Sequence, residues 1–293
     1  MKIAIFVLKY NEKVKSALVT LTNFLKNKNA EIFLEDRLQK KIIYLSEFKL
    51  TKTKLSPYKK LDKSFDFLIS IGGDGSILRA ITQVKDLDIP IVGINTGNLG
   101  FLSTIKIDNI EIALNKIFDG EYKISNRCLL SIETDSNQDK FDLNFALNEI
   151  AVGRKNTTSM ISIKTWLDDE YLTSYWADGL IISTPTGSTG YSLSCGGPVI
   201  MPESESLVLT PIAPHNLNAR PLVIPAKHKI SLKINGREDE FLVSLDSRIN
   251  SLDNSTTITI KKAPYNIKMI ELDGCSFIET LRKKLLWGID QRN

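Results

Sequence analysis

The sequence predicts two dissimilar parts: an α/β domain on a parallel sheet, then a β-rich, sandwich-like domain. Two observations carry this. Up to about residue 125, short continuous apolar runs alternate with stretches of helical periodicity. Beyond it, short strands follow one another with turn residues between them. The length of 293 residues suits roughly two domains.

Ile3–Leu8 is a continuous apolar run and reads as a buried strand. Val14, Ala17, Leu18, Leu21 and Leu25 fall on one helical face, which predicts a helix over Glu12–Asn27. Ile32–Leu34 is a second strand. Leu38–Lys63, rich in lysine (Lys40, Lys41, Lys49, Lys52, Lys54, Lys59, Lys60, Lys63), reads mainly as an exposed charged connection with a helical piece. Phe65–Ile71 is a strand, Ser76–Lys85 a helix, Pro90–Ile94 a strand and Asp108–Phe118 a helix stopped by Asp119-Gly120. Such alternation indicates a parallel sheet covered on both faces, Rossmann-like or flavodoxin-like, with ligands beyond the carboxyl ends of its strands.

Leu129–Thr134 opens the β-rich part, followed by the polar turn Asp135–Asp139. Phe141, Leu143, Phe145 and Leu147 alternate at period two. Met160–Leu167, Tyr171–Ser174, Leu180–Ser183, Ser206–Ile212, Lys229–Ile234, Phe241–Leu245 and Thr256–Lys261 read as further strands. Phe277, Leu281 and Leu285 mark a last helix over Ser276–Trp287, with Arg282, Lys283 and Lys284 near its negative end.

A net charge of +4 suits a protein handling anionic small molecules and is too weak to argue for nucleic acid. Cys128, Cys195 and Cys275 are odd in number and far apart, which predicts neither a disulfide framework nor a zinc site and suits a reducing cytoplasm. No apolar run reaches the ~20 residues of a membrane span, so the reading is soluble, with no membrane partner. Gly-x-Ser-x-Gly, His-Glu-x-x-His and the Gly-x-x-x-x-Gly-Lys-Ser/Thr loop are all absent.

Three stretches point to chemistry. Gly72-Gly73-Asp74-Gly75-Ser76 joins a strand to a helix; its glycines allow close approach of backbone to a ligand, and the helix start favours an anion. Asp74 repels phosphate, which suggests a base, or a group holding a metal or a sugar hydroxyl. Asn148-Glu149 offers donors and acceptors suited to ribose hydroxyls, although such a pair is also common in plain turns. The stretch 177–198 is dense in glycines and hydroxyls around Tyr191, enough to wrap a polar ligand and stack on a ring. His215, in a Pro-bounded segment ending at Arg220-Pro221, reads as structural.

Taken in order, these pieces resemble the bacterial-type NAD kinases over almost the whole chain. The matching residues are Gly72–Ser76 (the family usually has Thr at the last place), Asn95-Thr96-Gly97, Leu99–Leu102, Asn148-Glu149, Asp178–Leu180 with Ser183–Thr189 and Tyr191, and Pro214-His215 with Arg220-Pro221. The resemblance implies transfer of the ATP γ-phosphoryl group to the 2′-hydroxyl of the adenosine ribose of NAD, with a divalent metal (Mg²⁺ or Mn²⁺) for which no protein ligand is assigned. It makes Asp74 the base, Gly72, Gly73, Gly75 and Ser76 the phosphate-binding turn, and Asp74, Gly75, Phe101, Asn148, Glu149, Asp178, Thr189, Gly190, Tyr191 and Ser194 the contacts to NAD. It implies an α/β phosphate-binding domain over 1–125 plus 274–293, onto which the last helix returns. It gives 126–273 to a β-rich domain for NAD binding and for assembly into a homodimer or homotetramer.

Three positions depart from the family: Trp176 where Arg is common, Gly190 for Ala, and Ser247-Arg248 for Gly-Gln. Polyphosphate in place of ATP, a lipid or sugar kinase sharing the glycine turn, and a non-catalytic dinucleotide-binding regulator remain the alternatives.

Overall fold

The computed structural model describes residues 1–42, 44, 55–135, 141–156, 159–274 and 276–286. Lys49, Lys52 and Lys54 of the charged connection, 136–139 of the polar turn, Cys275 and Trp287 lie outside the described residues. The chain divides into two units, Met1–Asn126 with Ile267–Asn293, and Arg127–Asn266.

The first unit is an α/β fold. In chain order it holds β1 (Lys2–Val7), α1 (Glu12–Asn27), β2 (Glu31–Glu35), α2 (Asp36–Ile42), β3 (Leu55–Tyr58), β4 (Phe67–Ile71), α3 (Asp74–Val84), β5 (Ile91–Asn95), β6 (Ile105–Lys106) and α4 (Ile110–Phe118). The strands are parallel in the order β3-β2-β1-β4-β5-β6, the doubly wound order in which chain direction across the sheet reverses beside β1. α1 begins where Asn11 Oδ1 accepts the Val14 N–H at 2.9 Å, and it buries the stripe Val14, Ala17, Leu18, Leu21 and Leu25. That stripe meets α4 and one face of β1, β4 and β5 in a single apolar cluster with Ile270 and Leu272. The lysine-rich connection is more ordered than its charge suggests, since α2 and β3 are both built within it. Leu38, Ile42 and Tyr58 anchor these two elements by burial.

The second unit is a β-sandwich. The chain continues through β7 (Lys123–Thr134), β8 (Phe145–Ala146), β9 (Glu149–Arg154), β10 (Ile161–Leu167), β11 (Glu170–Ala177), β12 (Gly179–Ser183), α5 (Tyr191–Ser194), β13 (Ser206–Ile212), β14 (Leu222–Pro225), β15 (Ile230–Asn235), β16 (Glu240–Leu245), β17 (Arg248–Asp253) and β18 (Thr257–Glu271). One antiparallel sheet runs β14-β13-β12-β9-β16-β17. The other runs β11-β10-β15-β18, with β7 on β18 and β8 on β7. Inward residues of both sheets form one core around Phe241, which is fully buried. The last helix, α6 (Phe277–Leu285), starts at Ser276, whose hydroxyl accepts the Glu279 N–H at 3.2 Å, and belongs with the α/β unit.

Several expectations are corrected. Phe141–Leu147 is not a strand throughout: only Phe145-Ala146 pairs, while on either side the Leu143 carbonyl accepts from the Arg248 guanidinium and the Leu147 N–H donates to Asp246. β9, β14 and β17 escaped the sequence reading. β9 shows only a brief apolar run, β14 lies between Pro221 and Pro225 at a sheet edge, and β17 is largely polar. The helix expected from Asp108 opens with a 3₁₀ turn, Ile107–Asn109, before α4.

Phe241→Ala should lower the stability of the β-rich unit by about 3–5 kcal/mol through the cavity it leaves, read as a fall in the urea midpoint.

Candidate active site

β4 is buried along its length and feeds the glycine turn. Gly72 has φ 148°, a left-handed value that favours glycine, and a Cβ there would lie 2.1 Å from Ser76 Oγ. The helix starts two residues earlier than its sequence pattern suggests: Gly73 is its N-cap and Asp74 its first residue. The early start follows from the fold, since Asp74 gains tertiary partners that no local pattern shows. Gly73 and Gly75 are exposed, and an added Cβ at either meets nothing within 4 Å. Open space over a helix start leaves its positive end accessible to an anion. Ser76 instead lies buried beneath Gly72.

Asp74 is held by the second turn. Its Oδ2 accepts the Phe101 N–H at 2.8 Å, and its Oδ1 accepts those of Leu102 and Ser103, each at 3.0 Å. Ser103 Oγ closes the loop by donating to the Gly72 carbonyl at 3.0 Å. A Cβ on Gly100 would lie 1.9 Å from Asp74 Oδ1, so glycine is required there for close approach. Asn95, buried at the end of β5, builds this turn from inside: its Oδ1 accepts from Gly97 N–H (2.7 Å), and its Nδ2 donates to the Asn98 and Ser103 carbonyls. A carboxylate has about four acceptor positions. Three are filled here, which leaves one on Oδ2. The Phe101 ring packs against Phe277 of α6 at 5.9 Å, with Lys284 Nζ 4.8 Å from its centroid.

In the β-rich unit a second aspartate makes the same construction. Asp246, in a turn at φ 53°, accepts the N–H groups of Leu147 (3.0 Å), Asn148 (2.8 Å) and Glu149 (3.3 Å). Its side chain is buried, and burial pushes its carboxyl up against the pull of those amides and of Arg248, 3.8 Å away. Arg248, at the departure from the family pattern, braces the same segment through the Leu143 and Phe145 carbonyls. Glu149 is pushed up to about 8, first by burial and then by the charge of Asp246, with the Tyr191 N–H opposing. Glu149 Oε2 is buried without a hydrogen-bond partner among the described residues. A buried oxygen of this kind costs free energy until something donates to it. A Cβ at Gly190 would come within 3.2 Å of that oxygen, so the glycine here leaves more room than alanine.

The hydroxyl-rich stretch is not an open loop. It holds a 3₁₀ turn, Thr186–Thr189, and α5. Most of its hydroxyls are buried and used internally. Thr184 Oγ1 donates to the Leu147 carbonyl (2.6 Å), Ser188 Oγ to that of Pro185 (2.6 Å), and Ser192 Oγ bonds Thr210 Oγ1 (2.8 Å). Gly187 packs on Asn148, where a Cβ would lie 2.1 Å from the Asn148 carbonyl oxygen. Thr189, Gly190, Tyr191 and Ser194 remain at least partly accessible, and of these Gly190 and Tyr191 lie beside Glu149. The structure thus brings Asn148, Glu149, Gly190 and Tyr191 together in the β-rich unit, and Gly72, Gly73, Asp74, Gly75 and Phe101 together in the α/β unit.

Asp178 pairs with Arg154 at 2.8 Å, so the cation beside it comes from β9 and not from position 176. Both border a cavity of about 850 Å³ with Trp176, His215 and Arg237. The segment bearing His215 is seated by its backbone, the His215 N–H donating to the Trp176 carbonyl at 2.8 Å. Sequence reasoning missed Ser103, Arg154 and the role of Asp246; a lone aspartate in a hairpin turn carries no local signal.

Two family models match the chain: the ATP-NAD kinase N-terminal domain over residues 3–122 and the ATP-NAD kinase C-terminal domain over 147–272. The chain is 54% identical to the NAD kinase of Flavobacterium psychrophilum over 294 residues and 55% identical to that of Christiangramia forsetii, with full coverage of both chains in each case. Among solved structures, yeast NADH kinase complexed with NADH superposes with a TM-score of 0.88 at 23% identity, covering 99% of this chain and 89% of that one. An NAD kinase from Archaeoglobus fulgidus in complex with ATP gives 0.73 at 27% identity, covering 97% of each chain.

The Glu149 shift has a direct consequence. The folded chain holds this proton up to about pH 8, the unfolded chain only to the ordinary value of 4.5. Its contribution to stability is therefore greatest below pH 4.5 and is lost as the pH rises to about 8. Urea unfolding across that range should show a loss that Glu149→Gln reduces; an equal loss in both proteins contradicts the assignment.

Proposed function

The chain belongs to the ATP-NAD kinase family, and from that premise we propose which of its residues carry out the reaction. The protein is an NAD kinase: it moves a phosphoryl group onto the 2′-hydroxyl of the adenosine ribose of NAD, giving NADP.

Asp74 is the base that receives the 2′-hydroxyl proton. The observation supporting this is its carboxylate, fixed by three successive amides with one acceptor position left on Oδ2. A group so held needs no reorganisation to meet a hydroxyl. Gly72, Gly73, Gly75 and the start of α3 receive the transferring phosphate, with Ser76 supporting the turn from below. Phe101 lines the dinucleotide pocket.

Asn148 and Glu149 hold ribose hydroxyls. Glu149, protonated at neutral pH, both donates and accepts, as a hydroxyl does, and its buried Oε2 gains the donor it lacks. Thr189, Gly190, Tyr191, Ser194 and Asp178 complete the NAD contacts. The donor is ATP, in keeping with the family description.

A divalent ion bound with the donor would neutralise charge developing on its phosphates. Among the described residues no three His, Cys, Asp or Glu side chains gather as a cation site. Assembly as a homodimer or homotetramer and a cytoplasmic setting complete the reading. No helix among the described residues is long and apolar enough to cross a membrane. Relatives named NAD kinase match the full chain, which disfavours a lipid or sugar acceptor.

Incubation with ATP, magnesium and NAD should yield NADP, read with an NADP-specific dehydrogenase. ATP consumption on a lipid or sugar with no NADP formed overturns the reading.

A further inference from the structure

Asp178 is a carboxylate at a place where the ligand carries negative charge. It borders the cavity of about 850 Å³ in the β-rich unit, and the kinase reading makes it a contact to NAD, whose pyrophosphate is anionic. Alone it would repel that charge. A cation two residues earlier along an extended backbone, roughly 7 Å away, could offset it. Trp176 stands there instead, more than half exposed on the same cavity.

The offsetting cation comes from the neighbouring strand. β9 sends Ile150 and Val152 into the sandwich core, and Arg154 is the next residue on that face. The β9–β12 register pairs Gly153 with Gly179, which makes residues 154 and 178 the next cross-strand neighbours. The Arg154 N–H donates to the Asp178 carbonyl at 3.0 Å, and Arg154 Nη2 meets Asp178 Oδ2 at 2.8 Å. The two side chains are only 27% and 28% exposed, so solvent screens the pair less than it would on an open surface. This contact uses Oδ2 and leaves the carboxylate further acceptor positions for a ligand hydroxyl or amide. The pair is not needed to join the strands: β9 and β12 already share a continuous ladder from Glu149–Ser183 to Gly153–Gly179, with Ile150, Val152, Leu180 and Ile182 buried along it.

We infer that Arg154 is a positioning residue for NAD binding: from β9 it holds the Asp178 carboxylate toward the dinucleotide and offsets its charge, in place of a cation at position 176. This builds on the kinase reading above, in which Asp178 contacts NAD.

Arg154→Ala, Asp178→Asn, their double variant, Arg154→Lys and Arg154→Ala/Trp176→Arg are compared with wild type. Initial rates give kcat and the KM for NAD and for ATP, calorimetry gives the Kd of NAD, and urea midpoints report folding. Arg154→Ala should raise KM and Kd for NAD about tenfold, with kcat and KM for ATP near wild type. The double variant should be no worse than Asp178→Asn, because Arg154 acts through Asp178. Arg154→Lys, which keeps the charge without the fork, should fall between wild type and Arg154→Ala. Adding Trp176→Arg to Arg154→Ala should return KM for NAD toward wild type. Wild-type NAD affinity in Arg154→Ala beside weakened affinity in Asp178→Asn overturns the inference and leaves the NAD contact of Asp178 standing. A loss that adds in full to that of Asp178→Asn, or that falls equally on NAD and ATP, also overturns it. So does the absence of any recovery with Trp176→Arg. Wild-type affinity in Asp178→Asn removes the contact itself and the inference with it. Should Arg154→Ala not fold, Arg154→Lys carries the same comparison. If wild type forms no NADP, the kinase reading fails, and the calorimetric Kd of NAD still decides whether Arg154 acts through Asp178.

Discussion

Two carboxylates, each accepting three consecutive backbone N–H groups, set the geometry on which the rest depends. Asp74 binds the amides of 101–103, and Asp246 those of 147–149. Three successive amides converge on one acceptor only when the backbone curls around it, so each aspartate fixes the path of a distant segment as well as its own position. Charge-assisted bonds of this kind are stronger than neutral ones. In the α/β unit the clamp positions Asp74 itself. In the β-rich unit it positions the neighbours, Asn148 and Glu149.

The second clamp has an electrostatic cost that falls on Glu149. A charged Asp246 in the same buried region disfavours a second negative charge, and burial disfavours it further. The result is a neutral acid with one buried oxygen that has no partner among the described residues. Such an arrangement stores unfavourable free energy in the empty protein, which a donor from a ligand relieves. The surrounding hydroxyls behave oppositely: those of Thr184, Ser188 and Ser192 find their partners within the protein and give the stretch its shape.

The fold was largely legible in the sequence because its periodicities are strong. The stripe from Val14 to Leu25 has helical spacing, and the short continuous apolar runs at β1, β4 and β5, alternating with helical stretches, suit buried strands. The glycine turn stood out by its place between a strand and a helix, whereas Asn148-Glu149, a pair also common in plain turns, gained its meaning from the family resemblance. What stayed hidden was long-range. Asp246 meets 147–149 across about a hundred positions of sequence, and Asp74 meets Phe101 across 27. Leu143 and Leu147, which alternation alone put in a strand, bond instead to Arg248 and Asp246. The hydroxyls of 184–192 read alike in sequence, and only burial separates those that build the stretch from those that face outward.

The central claim is that Asp74 is held to receive a proton. Asp74→Asn tests it most directly, with kcat measured beside the Kd for NAD by calorimetry. The account predicts a fall in kcat of about 10²–10⁴-fold with the NAD affinity close to wild type. Turnover near the wild-type value in the asparagine variant would contradict it.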